Sequence, residues 1–384
     1  MKLSLIDVPE RNRVKFDKRN DIWNNGDDNA YPTLVERIIN ASVTAKACAG
    51  VLAKFIYGDG FAYENELREK TKNSGIRFNR ESLYSNPARQ TPNKLLKISA
   101  RQAAYHKGVF FHVNYNALFQ KTSVAILPYK HCRLGKEGSS GYKEKIVVYD
   151  NWDRCKKNRI DPADFDVIDV YNPDPDVILE QVQRAGGWDK YKGQILFLNL
   201  DDTDNYPLPY ADAALLDCDS EAQSGIFKNR GLRKGFFGKY MLYTKPFQNE
   251  QDKAAFQAKI KNAMGAENNE TILHFEAELQ NDELEKEILL KEIKTNIDDR
   301  IFSHTETTVA NNIRKAFGNI PPVLIDWVEG KMGGTSGASF KEAQAYFVKQ
   351  TEEERNEIEE TFEELFYNFH RPVNPSGNWK IRSF

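Results

Sequence analysis

The alternation of apolar and polar positions divides the chain into helical and extended stretches. Leu34, Ile38, Ile39, Ser42, Ala45 and Ala49 recur near helical spacing behind Tyr31-Pro32, predicting one helix over about 32–54. It runs into Gly58-Asp59-Gly60, a turn signal. Residues 1–30 are polar and charged and predict a loosely structured arm, and 65–92 is again polar. Thr91-Pro92 opens a second helix that ends near Tyr105, before Gly108. Residues 109–115 and 123–127 predict a hairpin, and 146–149 and 194–198 further strands. Between the last two, Pro162, Pro173, Pro175 and Gly186-Gly187 read as loop.

The second half predicts a long helix over 210–234, a strand at 236–243, a helix at 250–264 and short strands at 271–275 and 287–290. Next comes a helix over 293–317, with Ile293, Ile297, Ile301, Val309, Ile313 and Phe317 on steps of four or eight. Asp298, Asp299, Arg300, Glu306, Arg314 and Lys315 interrupt that stripe, as suits a helix packed beside identical neighbours. Residues 318–338 break the pattern with Gly-Asn-Ile-Pro-Pro and then Glu329, Gly330, Lys331, Met332, Gly333, Gly334, Thr335 and Ser336. Glycine gives such a segment unusual backbone freedom. A last helix is predicted over 339–369, its apolar stripe running from Phe340 through Phe347 and Phe362 to Phe369. Its acidic run at 352–364 holds Arg355 as the one cation and reads as a solvated face.

Composition narrows the function. Hydrophobic residues at 40% and charged ones at 29% describe a chain with a core rather than a disordered one. A net charge of −2, with no basic domain, argues against tight DNA binding by phosphate neutralisation. Residues 1–13 do not read as a signal peptide, and no apolar run reaches the roughly 18 residues of a membrane span. Cys48, Cys132, Cys155 and Cys218 are too far apart for a CxxC motif and read as reduced thiols.

Motifs that carry chemistry are missing. Gly-Lys at 135–136, 238–239 and 330–331 lacks the following Ser or Thr of a phosphate-binding loop, and HExxH does not occur. The six histidines (His106, His112, His131, His274, His304 and His370) are scattered. Ser303 and His304 are adjacent on a helix and point apart. Asp201, Asp202 and Asp204 form the densest carboxylate group outside helices and read as a solvated loop, with a cation site as the alternative. No catalytic residue, cofactor or metal is expected.

Four segments, in order, resemble portal proteins of tailed bacteriophages and prophages of the HK97/SPP1 type. They are Asp28-Asn29-Ala30-Tyr31-Pro32 with the helix to Gly60; "NPARQTPNKLLKISARQAAYHKGVFFHVNYN" at 86–116; "YPLPYADAALLDCDSEAQSGIFKNRGLRKGFF" at 206–237; and "VANNIRKAFGNIPPVL" at 309–324, followed by "GKMGGTSGASFKEAQAYF" at 330–347. The resemblance implies an α+β portal fold: an α/β wing, long stem helices, a small α/β clip, and a tunnel loop followed by a long helix. Mapped here, the wing takes 1–205 and 339–384, the stem helices 206–234 and 294–318, the clip 235–293 and the tunnel loop 319–338, with a crown domain short or absent. It implies a dodecameric ring at one capsid vertex, through which double-stranded DNA passes. Implied partners are the terminase large subunit, the major capsid or scaffold protein and a head-tail adaptor, with no membrane. Two alternatives stay open: another phage head or tail adaptor, and a metal-dependent nucleic-acid-processing enzyme using the carboxylates at 201–204.

Overall fold

A computed structural model describes residues 14–74, 80–138, 141–152, 164–201, 205–233, 239–244, 247, 249–263, 272–276, 288–293, 299–326 and 336–384. The chain is α+β and divides into two compact units, 1–218 with 310–384 and, inserted between them, 219–309. The division falls within two helices of the chain.

In the larger unit a hairpin, β1 (Lys15–Asp17) and β2 (Ile22–Asn24), stands where a loose arm was expected. The sequence there is polar overall, but Ile22 is buried against Val147 and Trp152, which is enough to seat it. The helix expected over 32–54 is two: α1 (Tyr31–Ala41) and α2 (Val43–Tyr57), meeting at 106°. Ser42 makes the break. Its backbone is extended, and its Oγ accepts the Ala45 amide at 3.0 Å, capping α2. Helix α3 (Ala62–Ser74) occupies part of the polar stretch, and α4 (Pro92–His106) starts where Thr91-Pro92 placed it.

The main sheet has six strands: β3 (Gly108–Tyr115), β4 (Lys121–Leu127), β5 (Cys132–Leu134), β6 (Lys145–Val148), β7 (Asp166–Val170) and β8 (Gln194–Asn199), in the order β4-β3-β8-β7-β6-β5. Only β7 and β8 pair in parallel. Parallel neighbours need a crossover, and α5 (Pro175–Ala185) supplies it, in a stretch that had read as loop. Successive residues of β3 serve opposite faces, as a strand requires. Phe110 joins Tyr129, Ile146, Ile195 and Tyr206 in one core, while Phe111 meets Phe362, whose ring is packed with Phe61 and Trp379.

The smaller unit takes the C-terminal part of α6 (Leu215–Arg233), then β9 (Lys239–Thr244), α7 (Glu250–Ala263), β10 (Ile272–Glu276), β11 (Ile288–Ile293) and the start of α8 (Asp299–Ala316). Its sheet order is β10-β9-β11, with β9 and β10 parallel across α7 and β11 antiparallel on the other side of β9. The expected alternation of helix and strand is present. Ile293, expected to open α8, instead ends β11; α8 is described from Asp299, and 294–298 lies outside the described residues.

The last long helix is again two, α9 (Ser336–Gln350) and α10 (Glu352–Phe366), broken at Thr351. The Thr351 hydroxyl donates to the Phe347 carbonyl at 3.0 Å. Arg355, 5% exposed, donates from Nη1 to Thr351 Oγ1 at 2.5 Å and to the Phe55 carbonyl at 3.2 Å, and from Nη2 to the Val348 carbonyl at 2.6 Å. One guanidinium thus ties the elbow to the end of α2. Beyond α10 the chain lies back over the α2–α3 turn. The Ala62 amide donates to Lys380, the Asp59 amide to Arg382, and Arg382 donates to Gly60. Gly58, at φ +54°, has no room for a side chain: a Cβ would stand 2.3 Å from the Arg382 carbonyl oxygen.

Candidate functional site

The segment singled out by sequence leaves α8 through a tight reversal. Ile313 and Phe317 are fully buried, and Ile320 nearly so. Gly318 (φ +86°) and Asn319 (φ +55°) then adopt left-handed backbone, and both amides donate to the Lys315 carbonyl at 3.2 Å. This satisfies a carbonyl of the helix end and turns the chain. Pro321-Pro322 start a short 3-10 turn, Pro322–Leu324, against which α9 packs. Asp326 comes back to α8, where its Oδ2 is 3.1 Å from Arg314 Nη1. A side chain at Gly318, just past α8, would come within 3.8 Å of Phe347 of α9. The described residues stop at Asp326 and resume at Ser336, the first residue of α9. Glu329, Gly330, Lys331, Met332, Gly333, Gly334 and Thr335 lie outside the described residues.

The expected stem residues fall as follows. Asp298 lies outside the described residues, and Asp299 and Arg300 form the first turn of α8. Glu306 pairs with Lys228 of α6, both half exposed. Such an exposed pair stabilises by about 0–1 kcal/mol. Arg314 is engaged by Asp326 and by Asn311, while Lys315 is exposed. Two charges of this set are thus matched within the chain.

The carboxylate group at 201–204 is represented by Asp201 alone. Its Oδ1 takes Lys107 at 3.3 Å and its Oδ2 the Leu208 amide at 3.3 Å. Asp202 and Asp204 lie outside the described residues. Among the described residues no three His, Cys, Asp or Glu side chains converge as a cation site. His112 meets the Lys192 carbonyl at 2.6 Å and His370 that of Lys121 at 3.2 Å. No single helix among the described residues is long and apolar enough to cross a membrane.

Sequence reasoning missed a polar cluster around the buried His106. His106 Nε2 lies 3.2 Å from Glu36 Oε1, and Lys130 Nζ is 3.0 Å from Glu36 Oε2. The imidazole stacks on Tyr129 at 4.5 Å. Burial holds His106 below its usual range. Burial pushes the Glu36 carboxyl up, but hydrogen bonds from His106 and Lys130 outweigh it and hold the group at about 2. The cluster joins α1, α4 and the 3-10 turn Tyr129–His131. The residues come from three distant stretches, so spacing carries no signal of it.

No family model matches the chain, and no curated protein does. Solved structures do. An HK97-family phage portal protein from Corynebacterium diphtheriae matches at 10% identity, over 75% of this chain and 77% of that one, with a TM-score of 0.36. The chain is similar to a phage portal protein. It is also similar to a chain in the virion of a native gene transfer agent particle, at 14% identity over 89% of this chain and 81% of that one, TM-score 0.49. A chain in the neck of the empty particle, solved with C6 symmetry, matches at 13% identity over 88% and 81%, TM-score 0.48.

Proposed function

We propose that this chain is a portal subunit: it forms a ring at one vertex of a virion capsid, and double-stranded DNA passes through the ring during packaging and ejection. The reading rests on the four ordered sequence segments. The observation that carries it furthest is the compact insert 219–309, entered through α6 and left through α8. On this reading the insert holds the clip, at 235–293, where the terminase large subunit and later the head-tail adaptor dock. The wing, 1–205 with 339–384, faces capsid or scaffold protein. The segment 327–335 lines the channel, with Lys331 contributing one weak, salt-screened positive charge per subunit. Assembly takes place in the host cytoplasm. The chain's role is structural.

Mass photometry and negative-stain imaging of the purified chain test this. The expected particle is a ring with a central hole and a mass near twelve times the 44.1 kDa of one chain. A stable monomer or hexamer would overturn the portal reading in favour of an adaptor. Within a ring, Lys331→Ala leaves assembly intact and alters DNA packaging or retention. Lys331→Glu alters it more, because it adds to Glu329. Two variants that both package like wild type would remove the channel role of this residue.

A further inference from the structure

The larger unit separates its charges by face. Helices α2 and α4 contain no acidic residue, and their outward strips carry Lys46, Lys54, Lys94, Lys97 and Arg101, all exposed. Neighbouring α1 adds exposed Arg37, while its one acid, Glu36, is spent on His106 and Lys130. Arg37 and the four lysines make no ion pair among the described residues. Helix α10 is the opposite. It has eight Glu, and its one cation, Arg355, is buried in the elbow. Glu354 and Glu359 are used by Tyr210 and by Lys380. Glu352, Glu353, Glu360 and Glu363 are exposed and have no ion-pair partner among the described residues. All this occurs in a chain whose net charge is only −2, so the segregation is not a surplus of one sign.

We infer that the acidic face of α10 docks on the basic α2–α4 face of a second copy of this chain. The inference rests on the ring reading and names the surfaces that close the ring. Several observations favour a second copy as the occupant. Helices α2 and α4 carry charges of one sign only, and the exposed charges of α10 are all of the other. The three helices are each 15 residues long, about 22 Å at 1.5 Å per residue, so the helices that carry the charges match in length. Each face also has an apolar residue to anchor it: Val43 at the start of α2 is 79% exposed and Tyr367, just after α10, is 77% exposed. A duplex could neutralise the basic face but would leave α10 unmatched. A second copy matches both at once. The two surfaces are different patches of one chain, so the contact is head-to-tail, and repeating it generates a ring when the rotation closes. Charge pairing of this kind sets orientation and partner choice more than raw affinity.

The test uses three variants of the full chain. One reverses the basic face (Lys94→Glu, Lys97→Glu, Arg101→Glu), one the acidic face (Glu353→Lys, Glu360→Lys, Glu363→Lys), and one carries all six changes. Tryptophan-fluorescence melting verifies folding, and mass photometry at low salt reads assembly. Each single-face variant is expected to need about tenfold or more protein to assemble. Mixing the two at equal concentration restores assembly, because each then offers what the other lacks. The six-change variant assembles alone. The inference is overturned, with the portal reading intact, if single-face variants form rings like wild type or if mixing restores nothing. It is also overturned if reversing the basic face removes salt-sensitive duplex binding and leaves assembly unchanged, which would make that face a nucleic-acid surface. A wild-type chain that forms no ring at any concentration removes the portal reading and this inference together.

Discussion

Arg355 and Glu359 show what a sequence reveals about a single residue and what it conceals. Arg355 precedes Ile358 and Phe362 by three and seven positions, and Glu359 precedes Phe362 and Phe366 by three and seven, so helical periodicity alone places them toward the core. Read by composition, they vanish into an acidic run. His106 is less legible, since its partners Glu36 and Lys130 lie 70 and 24 residues away and only the fold unites them. Its burial has a measurable consequence. Burial in the folded unit lowers the tendency of His106 to take up a proton, whereas in the unfolded chain it protonates as pH falls below about 6.5. The unfolded state then binds more protons, so stability declines as pH falls through that point. Glu36 adds a second loss only below its ordinary value near 4.5, complete toward about 2. All five tryptophans lie outside 219–309, so their fluorescence reports the larger unit. Its melting midpoint is expected to fall between pH 7 and pH 5, and His106→Gln to flatten that slope. An equal slope in both proteins would assign the effect elsewhere.

Among elements, the strongly periodic ones were legible: α4, the β3–β4 hairpin, and the order of helices and strands from α6 to α8. The errors share a cause, which is that short polar side chains and Pro or Gly were weighed by type rather than by position. Ser42 and Thr351 each divide a continuous apolar pattern by bonding to nearby backbone. Asp174-Pro175 and Gly186 punctuated what read as loop, yet they are the N-cap, first-turn proline and left-handed C-terminal glycine of α5. The hairpin β1–β2 is too short for alternation to register. The proposed channel segment was delimited by Pro321-Pro322 and its glycines, but the Arg314–Asp326 pair at its base was not foreseen. The α9–α10 elbow makes a quantitative case. Arg355→Ala strips the Phe55 and Val348 carbonyls of a buried donor and leaves Thr351 short of one. Leaving such groups unmet costs about 1–3 kcal/mol each, so a loss of about 3 kcal/mol in the tryptophan-reported unfolding is expected. A loss below about 1 kcal/mol would show that the elbow holds without it.

At the scale of the molecule, the division into two units makes a prediction of its own. Deleting 235–293 removes the sheet of the smaller unit and leaves every tryptophan in place. The tryptophan melting transition is expected to persist; on the proposed portal reading, motor docking is lost and ring closure weakens. Disappearance of the transition would mean that the larger unit does not fold independently. The interleaving of the units also sets an order of events on the ribosome. Phe61 and Phe111 are made early, but the side chains that seal them, Phe362 and Trp379, follow the whole of 219–309. At about 5–20 residues per second, the interval from residue 219 to residue 379 is on the order of 10 s. Through that interval the first half of the larger unit lacks the side chains that pack over Phe61 and Phe111. The acidic helix arrives in the same late stretch, so a nascent chain cannot offer α10 to a neighbour before its own insert has been synthesised.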